Sequence, residues 1–249
     1  MTPEIPAFAD APAQAVRFHS HADEGALNAA VLEVLAAALG DGRARRGAAL
    51  ALLSGGGTPV PVYRALGERI RDWRGLALAL VDDRWVAPDD AGSNARMLRE
   101  TVRAGEPAGP PFWPLTQFQK DRALAVADAN AHYAASLQTA ELSVVLLGMG
   151  DDGHTASLFP GSPQLDAALA SPDAYVALDA HGCPGAGAWP LRITLTPRGW
   201  APARQRLLMM RGAHKRAVFE RALRETDART LPVHAALWGD APLDVHWCP

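Results

Sequence analysis

"LSVVLLGMGDDGHTASLFPGSP", residues 142–163, starts as an apolar run interrupted only by Ser143 and turns into a loop of glycine, acid and proline. An apolar run this short, bounded by turn residues, reads as a strand buried on both faces, as in a parallel sheet covered by helices. The same pattern recurs outward in both directions. Upstream stand "AALALL" (48–53) and "LALALV" (76–81). Downstream stand "YVAL" (175–178), "LRITLT" (191–196), "RLLMM" (206–210) and "LDVHW" (243–247). Helical spacing separates them. Leu27, Val31, Val34, Leu35 and Ala38 mark a helix that Gly40 is expected to end. Val62, Tyr63, Leu66 and Ile70 mark another, with Pro59 in its first turn and Thr58 as N-cap. Further helices are expected near 93–103, 121–139 and 213–224. Strands alternating with helices predict the α/β class, with one doubly wound, mostly parallel, Rossmann-like sheet and helices on both faces. No internal repeat or long linker divides residues 1–249, so a single domain is expected. In such sheets ligands lie at the carboxyl ends of strands. Attention therefore falls on the loops after residues 53, 81 and 147.

Composition narrows the function classes. Apolar residues are 49% and charged residues 20% of the 249, as in an ordinary globular protein. A net charge of −3 without a Lys/Arg run gives no footing for nucleic acid. No apolar run approaches the roughly 18 residues of a membrane span. The start, MTPEIPAFADAPAQ, has neither a cationic n-region nor an apolar h-region. The only two cysteines, Cys183 and Cys248, are far apart, which predicts neither a disulfide framework nor zinc and suits a reducing cytoplasm. His19 and His21 form an H-x-H pair read as surface, and no second histidine lies at ligand spacing from His154, so no metal is expected.

The first loop, Ser54-Gly55-Gly56-Gly57-Thr58, joins a strand to a helix. Its glycines let backbone amides approach a ligand at a helix N-terminus, where an anion is favoured. Ser54 and Thr58 add hydroxyl donors. No GK[ST] follows, so this is not a Walker loop, and Leu52 rules out a G-x-S-x-G nucleophile elbow. The second loop carries Asp82, Asp83 and Arg84 where a buried strand surfaces. Arg84 offers a planar fork for carboxylate or phosphate, and Asp82 could bind sugar hydroxyls or orient a histidine.

In the third loop Gly148, Gly150 and Gly153 spell G-x-G-x-x-G, and Asp173 follows at a dinucleotide-like spacing. Yet Asp151 and Asp152 would repel a pyrophosphate, and Pro160 and Pro163 cut short the helix such a loop requires. His154, beside two carboxylates, suits a general base near neutral pH instead. Asp82, Asp151 or Asp152 could support it. Farther on, Arg192 alternates with the leucines of "LRITLT", and an Arg emerging from a core strand needs an anionic partner. Lys215 falls in the first turn of a helix, where its charge opposes the dipole unless an anion is near.

Together the segments LSGGGTP, VDDRWVAPDDAGSN, LLGMGDDGHTASLFPGSP, RITLT and GAHK, in order from 53 to 215, resemble the 6-phosphogluconolactonase family. The resemblance implies a fold related to glucosamine-6-phosphate deaminase and ribose-5-phosphate isomerase. It implies hydrolysis of 6-phospho-D-glucono-1,5-lactone in the oxidative pentose phosphate pathway, without a cofactor. The expected partner is this small phosphosugar lactone, acted on by a monomer or small homo-oligomer. His154, Asp82 and Arg84 are the expected catalytic residues. Phosphate and sugar are expected to meet Ser54, Gly55, Gly56, Gly57 and Thr58, together with Gly150, Asp152, Arg192 and Lys215. The growing oxyanion would find donors in the Gly148–Gly153 amides or in the Arg84 fork. Two departures stand out. Gly57 replaces a usual hydroxyl residue, at the cost of one phosphate hydrogen bond. Asp83 stands where Glu is common and reaches one methylene less far.

Three rivals share parts of this pattern. A deaminase would carry an Asn-Glu-Pro cluster where Leu158-Phe159-Pro160-Gly161 stands. A noncatalytic sugar-phosphate sensor would keep the SGGGT loop and Lys215 without needing His154. A dinucleotide-dependent dehydrogenase comes last.

Overall fold

The run 142–147 lies in the middle of a sheet, as its composition requires. The structure is a computed structural model describing residues 16–116, 121–239 and 241–249. The acidic, Pro/Ala-rich start, where no leader pattern is legible, lies outside the described residues. In chain order the strands are β1 (Val16–Ser20), β2 (Ala49–Leu53), β3 (Leu76–Leu80), β4 (Asp82–Arg84), β5 (Glu141–Gly148), β6 (Tyr175–Asp179), β7 (Leu191–Leu195), β8 (Gln205–Arg211) and β9 (Leu243–Cys248). The α-helices are α1 (Glu24–Arg46), α2 (Val60–Arg69), α3 (Asn94–Val102), α4 (Arg122–Thr139), α5 (Leu165–Leu169), α6 (Pro197–Trp200) and α7 (Ala213–Glu225).

Six strands form the central sheet in the order β1-β9-β8-β5-β2-β3, every neighbouring pair parallel. The central strands β2 and β5 are buried along their lengths, while β3 at one edge alternates and β1 at the other is largely exposed. From β2 the chain moves outward to β3; from β5 it moves the other way, to β8 and β9. The crevice between β2 and β5 is therefore the topological switch point, where doubly wound sheets bind ligands.

Alongside this sheet lies a second one that the sequence did not separate from it. β4, β7 and β6 pair antiparallel, so "YVAL" and "LRITLT" belong there. The chain leaves β3, passes Val81 and joins β7 at once, setting Asp82 opposite Thr194 and Arg84 opposite Arg192. That short crossing brings a second set of charged side chains to the switch point.

Two local expectations are overturned. α1 does not end at Gly40; it continues to Arg46 and closes on Gly47, whose φ of 78° is the left-handed cap conformation. An interior glycine costs only about 1 kcal/mol, and packing outweighs it. Gly42 in fact serves that packing, because a Cβ there would come within 1.9 Å of Ser143 Oγ on β5. Thr58 does not cap α2. Pro59 occupies the cap position with helical dihedrals and no side-chain cap forms, leaving the Thr58 hydroxyl one residue too far upstream. Among the described residues α1 is also long and apolar enough to cross a bilayer by length and composition. It packs against the central sheet, with Leu27, Val31, Leu35 and Leu39 buried.

Candidate active site

A cleft of about 320 Å³ opens at the carboxyl ends of β2 and β5. Ser54, Gly55, Gly56, Gly57 and Thr58 line one part, and Gly148, Met149, Gly150 and His154 another. Asp82, Arg84 and Arg192 come from the antiparallel sheet, and Lys215 from the first turn of α7. Five separate stretches of the expected set thus meet in one place. Asp152 is the exception: it stands behind the lining, bonded to His154.

The SGGGT loop is open toward the cleft. Gly56 sits at φ 93°, a conformation that favours glycine, and a Cβ at Gly56 or Gly57 would meet nothing within 4 Å. Gly55 is different, since its Cβ would fall 2.0 Å from Asn94 Oδ1. Asn94 opens α3 and is held in turn by the acidic pair: its Nδ2 donates to Asp82 O at 2.8 Å and its backbone N to Asp83 Oδ1 at 2.7 Å. Asp83 also accepts from Arg84 N, Ala95 N and Ser93 Oγ. Fully buried, it faces the start of α3; burial pushes its carboxyl up to about 6, against the pull of those backbone donors. The shorter side chain at this position therefore anchors a helix.

His154 is held from both chemical ends. Its Nδ1 lies 2.5 Å from Asp152 Oδ1, and its backbone N donates to the same oxygen at 3.1 Å. Its ring rests on Phe159 with centroids 4.4 Å apart. Burial alone would raise the Asp152 carboxyl, but the hydrogen bond and charge of His154 bring it below the usual range. An ionised carboxylate only accepts, so Nδ1 carries the proton and Nε2 is the acceptor nitrogen. Among the three aspartates left open by the sequence, the structure pairs Asp152 with this ring. Asp151 is largely exposed, 4.0 Å from Lys215 Nζ. Asp82 instead accepts from Ser157 Oγ at 2.5 Å and lies 3.7 Å from Arg192 Nη1.

No helix follows Gly153. Turns and an isolated Thr155–Leu158 bridge occupy the next residues, and α5 begins only at Leu165. The literal G-x-G-x-x-G thus lacks the helix N-terminus a pyrophosphate needs. Ala156, which lines the cleft, sits at φ 51°. Thr155 Oγ1 to Gly148 O (2.8 Å) and Ser157 N to Thr194 Oγ1 (3.0 Å) hold that strained turn.

The cations are braced. Arg192 is buried; it donates from Nε to Trp189 O, from Nη2 to Ala186 O and from Nη1 to Ser157 Oγ, and lies over Phe159. Burial lowers its pKa to about 10, with Asp82 opposing and neighbouring Arg84 adding to the effect. Arg84 donates to Gly92 O at 2.6 Å and lies over Trp189, while its buried Nε has no partner among the described residues. Two guanidiniums opposite each other on one ladder repel unless an anion joins them. Lys215 Nζ donates to Met149 O at 2.7 Å at the mouth of the cleft.

Sequence reasoning did not single out Asn94, Ser157 or Gly185. Asn94 and Ser157 each lie within a quoted segment, 81–94 and 142–163, while Gly185 lies in none, and its partners Asp152 and His154 are remote in the chain. His19 is exposed on the edge strand and His21 is half-buried just after it, and both stack on buried His246, with His19 reaching Asp244. Among the described residues no three side chains gather as metal ligands.

The chain is similar to its relatives over most of their length. A protein of Xylella fastidiosa named 6-phosphogluconolactonase is 48% identical over 205 residues, covering 82% of this chain and 84% of its own. One of Pseudomonas aeruginosa with the same name is 39% identical over 210 residues, covering 83% and 84%. The crystal structure of a 6-phosphogluconolactonase from Shewanella baltica superposes with a TM-score of 0.83 at 31% identity, covering 95% of this chain and 99% of that one. A monomeric glucosamine-6-phosphate deaminase shares the fold at a TM-score of 0.71 and 16% identity. The family model described as glucosamine-6-phosphate isomerases/6-phosphogluconolactonase matches residues 22–247, and this chain belongs to that family.

Proposed function

We propose that this chain hydrolyses 6-phospho-D-glucono-1,5-lactone to 6-phospho-D-gluconate, in the oxidative pentose phosphate pathway, with His154 as general base. The observation that carries the reading is the His154–Asp152 pair at the mouth of β5, in one cleft with the open SGGGT amides and Lys215. The names of the relatives support the substrate.

A δ-lactone is an activated ester, so water can attack without a covalent intermediate. Nε2 of His154 takes a proton from water as the water oxygen bonds to the ring carbonyl carbon. Asp152 holds the tautomer and stabilises the imidazolium that forms. Charge on the carbonyl oxygen is met by donors fixed in advance; the Gly150 and Gly153 amides already donate to His154 O and Gly150 O, which leaves the other amides of the 148–153 loop and the Arg84 guanidinium for this role. The ring C–O bond then breaks, and Nε2 returns its proton to the departing ring oxygen. Phosphate bound to the SGGGT amides, Lys215 and Arg192 orients the remote ester, so its binding energy serves positioning. The reading places the enzyme in the cytoplasm, as a monomer or small homo-oligomer without a cofactor.

The test is lactone hydrolysis above the spontaneous rate. His154→Ala is expected to fold and to lose about 10²–10⁴-fold in kcat. Near-complete kcat in that variant would remove the base. Binding of the phosphosugar without acceleration would make the chain a sensor, and ammonia release from glucosamine-6-phosphate would make it a deaminase.

A further inference from the structure

The His154–Asp152 pair touches a loop remote from its own. A Cβ on Gly185 would fall 2.3 Å from Asp152 Oδ2, 2.9 Å from His154 Nδ1 and 3.0 Å from Asp152 Cγ. Gly185 lies in the turn that precedes β7, closed by Cys183 N to Ala180 O and Ala186 N to Cys183 O, both 3.0 Å. The turn hangs on a buried charge, because Arg192 donates to Ala186 O at 2.9 Å and to Trp189 O at 2.6 Å. Under it, Asp152 Oδ2 is buried and accepts no hydrogen bond from the described residues. A buried acceptor without a donor is uncommon and asks for a reason.

We propose that the 183–189 turn is a positioning element for the His154–Asp152 pair, with Gly185 as its contact residue and Arg192 as its anchor. The bare backbone of Gly185 covers Oδ2 and excludes solvent from it. Oδ1 is then the carboxylate oxygen that works, and its only ring partner is Nδ1. With Oδ2 shielded, less water competes on the carboxylate for the Nδ1–Oδ1 bond. The ring is thereby held with Nε2 as the acceptor. Arg192 gains a second duty beyond any contact with substrate: it ties the turn over the pair to β7.

This rests on His154 being the general base, and the experiment separates the two. Gly185 is exposed on its outer side and its φ is not left-handed, so alanine is conformationally allowed there. The added methyl either pushes the pair or lifts the turn, and both disturb the Nδ1–Oδ1 bond. In the whole protein, the downfield proton resonance of that bond, assigned by its loss in His154→Ala, should shift or vanish in Gly185→Ala. kcat should fall on the order of 10- to 100-fold, and KM should change much less, because the SGGGT amides and Lys215 do not touch the turn. Gly185→Val should lose more than Gly185→Ala, with thermal midpoints close to wild type. Arg192→Lys, which forfeits at least one turn carbonyl, should move the same resonance and serves if the Gly185 variants fold poorly. An unmoved resonance in Gly185→Ala overturns the proposal. So does wild-type kcat in Gly185→Ala when His154→Ala is inactive. If both variants keep wild-type kcat, the general-base reading falls instead, and this proposal with it.

Discussion

The loops after β2 and β5 lie side by side at the switch point, and both are rich in glycine. After β2 two of the three glycines leave space: nothing lies within 4 Å of a Cβ on Gly56 or Gly57. After β5 the space is already filled. A Cβ on Gly150 would fall 2.1 Å from His154 Cε1 and 2.8 Å from Asp152 Oδ1, and one on Gly153 would fall 2.7 Å from Leu231 Cδ2. At Gly56 and Gly57 the missing side chain leaves room in the cleft; at Gly150 and Gly153, as at Gly55, it makes room for a neighbouring side chain. A glycine pattern alone does not tell these uses apart.

Substitutions can break that contrast, most strongly at the carboxylate behind the crowded loop. Asp152→Asn is expected to lower kcat on the order of 10²–10⁴-fold with little change in KM, since the amide can present the wrong partner to Nδ1. The same variant has a pH signature. The Asp152 carboxyl is depressed in the folded state, so its stabilising contribution is present above the unfolded value of about 4 and is lost as pH falls through the depressed one. Urea midpoints of wild type and Asp152→Asn should therefore differ at neutral pH and converge as acidity increases below about pH 4. A constant gap across that range would contradict the pairing.

Gly150→Ala should cost about 100-fold in kcat, because the new methyl displaces the ring itself. The matching change in the open loop should do far less, and comparable kcat losses at Gly150 and Gly57 would erase the distinction between the loops. Lys215→Ala should leave kcat within a few-fold and raise KM about 10-fold, the order expected for one charged hydrogen bond. An unchanged KM would remove Lys215 from phosphate binding. Smallest of all, Gly57→Ser should lower KM about 2- to 3-fold without changing the thermal midpoint, since a Cβ there meets nothing and the hydroxyl restores one donor.

Several features of this fold are legible from local chemistry. "AALALL", "LALALV" and "LSVVLL" become β2, β3 and β5 because near-continuous apolar runs have nowhere to go but a covered sheet. β1 escaped notice because VRFHS sits at an exposed edge, where burial imposes no pattern. β4 escaped because Asp82, Asp83 and Arg84 form a strand only through the partner β7 supplies. Gly40 misled as a helix end because propensity is weak against the burial of α1. Thr58 misled because Pro59 itself has helical dihedrals.

By itself the sequence determined the α/β class, the three loops that meet at the cleft, and His154, Lys215 and the SGGGT stretch as candidates. These follow from periodicity and from side-chain chemistry, both local properties. Only the tertiary structure decided that Asp152 pairs with His154, that Asp83 turns inward to anchor α3, and that Gly185 and Arg192 close a turn over the pair. The choice of Asp152 over Asp82 and Asp151 depends on which way each carboxylate turns once the loops are folded, and the other two depend on burial, on contacts between separate elements and on which carbonyls remain to be satisfied.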